Sequence, residues 1–137
     1  MLGHEQFPER DAEPTPSISL PATVVASHLQ ACAAELATGM DPVNAAGVGS
    51  ATELAEVVRH LLDGQRHISN ALAGLAGRLH DQHESGALAA VPAIDLDVLT
   101  EVLHAAANAV GYSADALAEA GPSLEHLIDF SGGDTRL

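Results

Sequence analysis

The sequence predicts an all-α protein: a long antiparallel helical hairpin over about residues 52–82 and 95–120, covered by an N-terminal helix at about 19–38 and a short C-terminal helix, in a three- or four-helix bundle. Three observations carry this. Two runs of apolar residues alternate in steps of four and three, the spacing at which helices pack knobs into holes. Aromatic residues make up only 2% of the chain, so its interior must be built from Leu, Val and Ala, which suits closely packed helices. Third, the Gly and Pro residues cluster between the periodic runs.

Residues 1–17 contain Pro8, Pro14 and Pro16 among Glu5, Glu9, Asp11 and Glu13. Such a segment offers too little apolar surface to offset its ordering entropy, and a disordered arm is expected. The first helix is expected to start at Ser19 as N-cap, with Pro21 in its first turn. Its apolar positions are Val25, Leu29, Cys32 and Leu36, and it should stop near Gly39. A Gly-rich connection follows at 39–50.

The first long seam reads Leu54, Val58, Leu61, Gln65, Ile68, Leu72, Leu75 and Leu79, broken only by Gln65. Ser50 or Thr52 can cap its start, and Glu53 and Glu56 favour the positive end of the helix dipole. Gly86 and Pro92 interrupt the connection at 83–94. The second seam reads Leu96, Leu99, Leu103, Ala106, Val110, Ser113, Leu117 and Ala120, broken only by Ser113. Folding the chain back about residue 89 sets Leu79 against Leu99, Leu75 against Leu103, Leu72 against Ala106 and Ile68 against Val110. Gln65 then meets Ser113, so the two polar breaks are expected to satisfy each other and disfavour slipped registers. A last helix is expected over Ser123–Phe130, then a flexible tail at 131–137. Residues 18–130 are thereby expected to form a single helical-bundle domain.

Several function classes are excluded by composition. Nineteen acidic residues face five Arg and no Lys, a formal net charge of -14. Phosphate recognition needs a basic stripe, and Arg59, Arg66 and Arg78 are scattered among acids, so neither nucleic acid nor an anionic membrane is an expected partner. Arg without Lys, beside abundant Ala and Gly, points to a GC-rich genome such as a bacterial one. The lone Cys32 allows no internal disulfide and fits a reducing compartment; in its Ala-rich run it is expected to be a buried small hydrophobe. Met1–Arg10 has no secretory pattern, and a cytoplasmic location is expected.

Catalytic signatures are not found: there is no Gly-x-Ser-x-Gly, no phosphate loop and no dinucleotide fingerprint. His80 and His83 share a helix end with Asp81 and Glu84, but a zinc site needs at least a third ligand. Glu101 and His104 have the Glu-x-x-His spacing of di-iron bundles, yet no second such motif accompanies them. No enzyme activity, cofactor or metal is therefore expected, and a small His/carboxylate metal-binding protein is kept only as an alternative.

What remains is apolar surface outside the seams. Val57 and Leu62 on the first hairpin helix, and Val98 and Val102 on the second, call for a third surface to cover them. Gly74 and Gly77 form a small-residue strip expected to permit close helix approach. These six residues are the expected interaction surface of a non-enzymatic assembly protein, binding a protein partner or associating with itself as a homo-oligomer. The hairpin at about 52–130 also resembles the WXG100 family of type VII secretion, which implies as an alternative a secreted substrate or partner of that system. It departs from the family's turn, reading Glu84-Ser85-Gly86-Ala87 without Trp, and from its export signal, since Asp115 follows Tyr112 at three residues rather than four.

Overall fold

A computed structural model describes residues 19–40 and 48–137 and gives an all-α protein. Four helices are described: α1 (Ala22–Gly39), α2 (Ala51–Glu84), α3 (Ala93–Ala118) and α4 (Gly121–Ser131). The arm expected at 1–17 and residues 41–47 of the Gly-rich connection lie outside the described residues. The chain divides into two compact units, 1–47 and 48–137.

In the first unit, α1 starts two residues later than Ser19 would set it. Pro21 is the N-cap, with no side-chain cap, and its carbonyl accepts from Val24 and Val25. Proline suits this place because it has no N–H to leave orphaned. The helix ends at Gly39 as expected. None of its residues is buried, and Cys32 is exposed rather than the buried hydrophobe its neighbours suggested.

In the second unit, α2 and α3 form the antiparallel hairpin, and α4 packs back on α2. Ser50 caps α2, its hydroxyl accepting from the Glu53 N–H at 3.2 Å, while the Glu53 carboxylate accepts from the Gly49 N–H at 2.7 Å. This is a capping box shifted by one residue. At 34 residues α2 is roughly 50 Å long. It ends where Gly86 takes φ +83, a conformation open to glycine at little cost. Pro92 then precedes the first turn of α3, which carries Asp95.

The seam differs from the expected one in a regular way. On α2 an unbroken series of buried or partly buried positions is Ala51, Ala55, Val58, Leu62, Gln65, Ser69, Leu72, Ala76, Leu79 and His83, with Leu54, Val57, Gly64 and Ile68 beside it also partly buried. On α3 and α4 the corresponding series is Leu96, Thr100, Leu103, Ala107, Val110, Ala114, Leu117, Gly121, Leu124 and Ile128, with Ala106, Gly111 and Ala118 beside it also partly buried. Both series alternate four and three without a break, the second running straight through the bend at Glu119–Ala120. Half of each expected seam is right: Val58, Gln65, Leu72 and Leu79 face Leu96, Leu103, Val110 and Leu117. Of the other half, Leu54, Ile68, Ala106 and Ala120 are partly buried and four positions are exposed. Leu61 and Leu75 are exposed where Leu62 and Ala76 are covered, and Leu99 and Ser113 are exposed where Thr100 and Ala114 are covered.

Small side chains cause the shift. Interaxial distance is set by the residues at the contact, and Ala, Ser and Gly let two helices draw together. The Ser69 hydroxyl consequently reaches the Ala107 carbonyl oxygen on α3 at 2.7 Å. A Cβ placed on Gly111 would lie 3.4 Å from the same hydroxyl. Ser69 thus faces Ala107 and Gly111, the register obtained by folding the chain back about residue 89. The expected pairing of the polar breaks does not form: Ser113 is exposed, and the buried Gln65 Oε1 has no hydrogen-bond partner among the described residues.

Candidate interaction face

One residue step of an α-helix is 100° of rotation, so positions that flank a seam can be assigned to a side. Stepping three residues on from a seam position reaches the same side of both helices in an antiparallel pair. On α2 that side carries Leu54, Leu61, Ile68 and Leu75, then Val57, Gly64 and Ala71. On α3 it carries Leu99, Ala106 and Ser113, then Val102, Ala109 and Ala116, and beyond them Val98, Ala105 and Tyr112. Charged residues on these rows lie only toward the helix ends: Arg78 on α2, and Asp95 in the first turn and Glu119 at the C-cap of α3. The opposite side holds Glu56, Arg59, Asp63 and Arg66 of α2 and Asp97, Glu101, His104 and Asp115 of α3. The hairpin therefore has one side that is mainly apolar and one that is mainly charged.

Much of the apolar face is exposed, although Leu54, Ile68 and Ala106 nearer the seam are partly buried. Leu75 is 52% exposed, Leu99 44%, Val98 54% and Val102 56%. Leaving a half-exposed Leu or Val in water forgoes about 1 kcal/mol relative to covering it. Scattered apolar residues on a surface need no explanation; a contiguous strip two helices wide does.

The six residues expected to form the surface separate into three groups. Val98 and Val102 lie on the open face, with the partly buried Val57 at its margin. Leu62 belongs to the α2–α3 seam and lines the cleft beside α4. Gly74 and Gly77 face open space: no described residue comes within 4 Å of where a Cβ would sit. The close approach occurs at Gly111, beside Ser69. Leu61, Leu75 and Leu99 were missed as surface residues because their size assigned them to the seam. The signal that would have found them is the parallel row of small residues one position further along each helix.

Between α2 and α4 lies a cleft of about 70 Å³, lined by Ala55, Val58, Leu62, Leu117, Leu124 and Ile128 with Arg59 and Glu125 at its polar edge. Among the described residues no group of three or more His, Cys, Asp or Glu side chains is placed to hold a metal ion. His80 is exposed and His83 partly buried at the end of α2, and both Glu101 and His104 are exposed on the charged face. No described helix is long and apolar enough to cross a membrane. Comparison of the chain with protein-family models, with curated proteins and with solved structures found no match in any of the three.

Proposed function

We propose that this chain is a non-enzymatic, cytoplasmic helical interaction protein that associates through the apolar face of its hairpin, with a second copy of itself as the leading partner. The observation that supports the reading most is the scarcity of charge along the middle of that face in a chain whose formal net charge is -14. Copies of so acidic a chain repel one another, and a contact with few charges adds least to that repulsion. On this face they bring Leu61, Leu75, Leu99, Val98 and Val102 out of water at little electrostatic cost. A partner hairpin also matches the face in length and in its period of four and three residues, as knobs-into-holes packing requires.

The test is the molar mass of the untagged chain by size-exclusion chromatography with light scattering over a concentration series. A dimer that Leu75→Glu and Val102→Glu each convert to a folded monomer is the expected result. Association that survives both substitutions overturns the assignment of the face. A folded wild-type monomer at every concentration removes the second copy as partner and leaves residues 19–38 or a different protein to cover the face.

A further inference from the structure

The last six residues, Gly132–Leu137, offer little apolar surface, yet they supply the partners that the start of α2 lacks. The first N–H groups of an α-helix have no acceptor within the helix. In α2 each finds one outside it. The Ala51 N–H donates to the Thr135 carbonyl at 3.1 Å, the Thr52 N–H to the Gly133 carbonyl at 3.2 Å, and the Glu53 N–H to the Ser50 hydroxyl at 3.2 Å. The Thr52 hydroxyl also donates to the Gly133 carbonyl, at 3.0 Å. At the chain end the Leu137 N–H donates to the Gly49 carbonyl at 3.4 Å, beside the antiparallel bridge of Ser50 with Arg136.

The path of the tail depends on its two glycines. Gly132 holds φ +84, where an L side chain is strained. A Cβ on Gly133 would stand 2.6 Å from the Thr52 hydroxyl oxygen and force the tail away. Beneath the tail, Ala51 is 0% exposed and Ala55 2%. The tail itself stays largely in water at Asp134, Arg136 and Leu137. Its hold is thus a few hydrogen bonds and no apolar anchor.

We infer that residues 132–137 are a releasable strap that closes the end of the hairpin opposite the 85–92 connection and keeps α4 seated on α2. A segment held this way opens at less cost than the α2–α3 seam, which is locked by side chains along its whole length. Release bares the N–H groups of Ala51 and Thr52. It also lets Leu124 and Ile128 lift from Ala55, Val58 and Leu62, turning the small cleft into exposed apolar surface at that end of the molecule. The strap goes beyond the association proposed above, since none of its contacts involves the apolar face.

Amide hydrogen exchange on the full chain, read residue by residue, tests this in the wild type, in Gly133→Ala and in Gly133→Ala combined with Thr52→Ala. In the wild type, Ala51 and Thr52 are expected to exchange faster than Leu72 and Ala107 in the seam. Gly133→Ala should speed exchange at Ala51, position 52 and Ile128 by on the order of tenfold, with Leu72 and Ala107 unchanged. Adding Thr52→Ala removes the obstructing hydroxyl and should restore protection at Ala51. Unchanged exchange at Ala51 in Gly133→Ala overturns the strap, because the tail then does not cap α2. Loss of protection at all sites together, or failure to fold, also overturns it, because the tail is then inseparable from the seam. A double variant that stays unprotected at Ala51 overturns the contact on which the strap is built.

Discussion

Two rows of residues on the same helix, one position apart, are buried to different depths. Leu54, Leu61, Ile68 and Leu75 form the larger and more apolar row of α2, and Ala55, Leu62, Ser69 and Ala76 the smaller. Yet Ala76 is 0% exposed and its neighbour Leu75 is 52% exposed. The same holds across the seam, where Ala107 and Ala114 are buried and Leu99 is open. The contrast teaches that a helix pair is centred where backbones can approach most closely, and that the leucines beside the centre are then available for another surface.

Overfilling the small row is the harshest way to break this contrast. Ala76→Leu or Ala107→Leu should destabilise the hairpin by about 1–3 kcal/mol in urea denaturation, because the added side chain must push the helices apart. The same variants should also lose the Ser69 to Ala107 hydrogen bond, which an NMR-detected downfield hydroxyl proton would report. A second substitution sharpens the contrast in the opposite direction. Gln65 Oε1 is buried without a partner, and Gln65→Leu should raise stability by about 1 kcal/mol or more, read as a higher denaturation midpoint at unchanged slope. Ser69→Ala should cost about 1 kcal/mol, since the Ala107 carbonyl loses the hydroxyl but keeps its place in α3. Smallest in effect on folding is the exposed row. Leu75→Ser, measured at a concentration where the chain is monomeric, should change stability by no more than about 0.5 kcal/mol while weakening association at higher concentration. Equal stability losses from Leu75→Ser and Ala76→Leu would erase the distinction between the rows.

The fold was legible to the extent that it depends on period and punctuation. The alternation of four and three residues marked both long helices, and Gly86 and Pro92 marked their connection. Folding about residue 89 predicted the register in which Ser69 meets Ala107 and Gly111. At Gln65 and Ser113 the reading failed for a specific reason. The two positions lie opposite each other along the axis, but Ser113 belongs to the flank and not to the row that the seam buries. Leu62, taken for surface, failed for the mirror-image reason. In both cases size and polarity were weighed and backbone approach was not. Val98 and Val102 were legible as surface because they stand about 80° to 160° around the helix from Leu96, Leu103 and Val110.

The sequence by itself determined that this chain is helical, where the helices of the hairpin run, how they turn back and that one part of their surface is apolar. Those properties are local: the 3.6-residue period, the capping residues and the positions of Gly and Pro act over a few residues along the chain. Only the tertiary structure decided which row of each helix is buried, that Gln65 is left without a partner, and that Gly133 and Thr135 complete the first turn of α2. These depend on how closely two backbones approach and on contacts between residues some eighty positions apart, and distances of that kind are written in no single stretch of sequence.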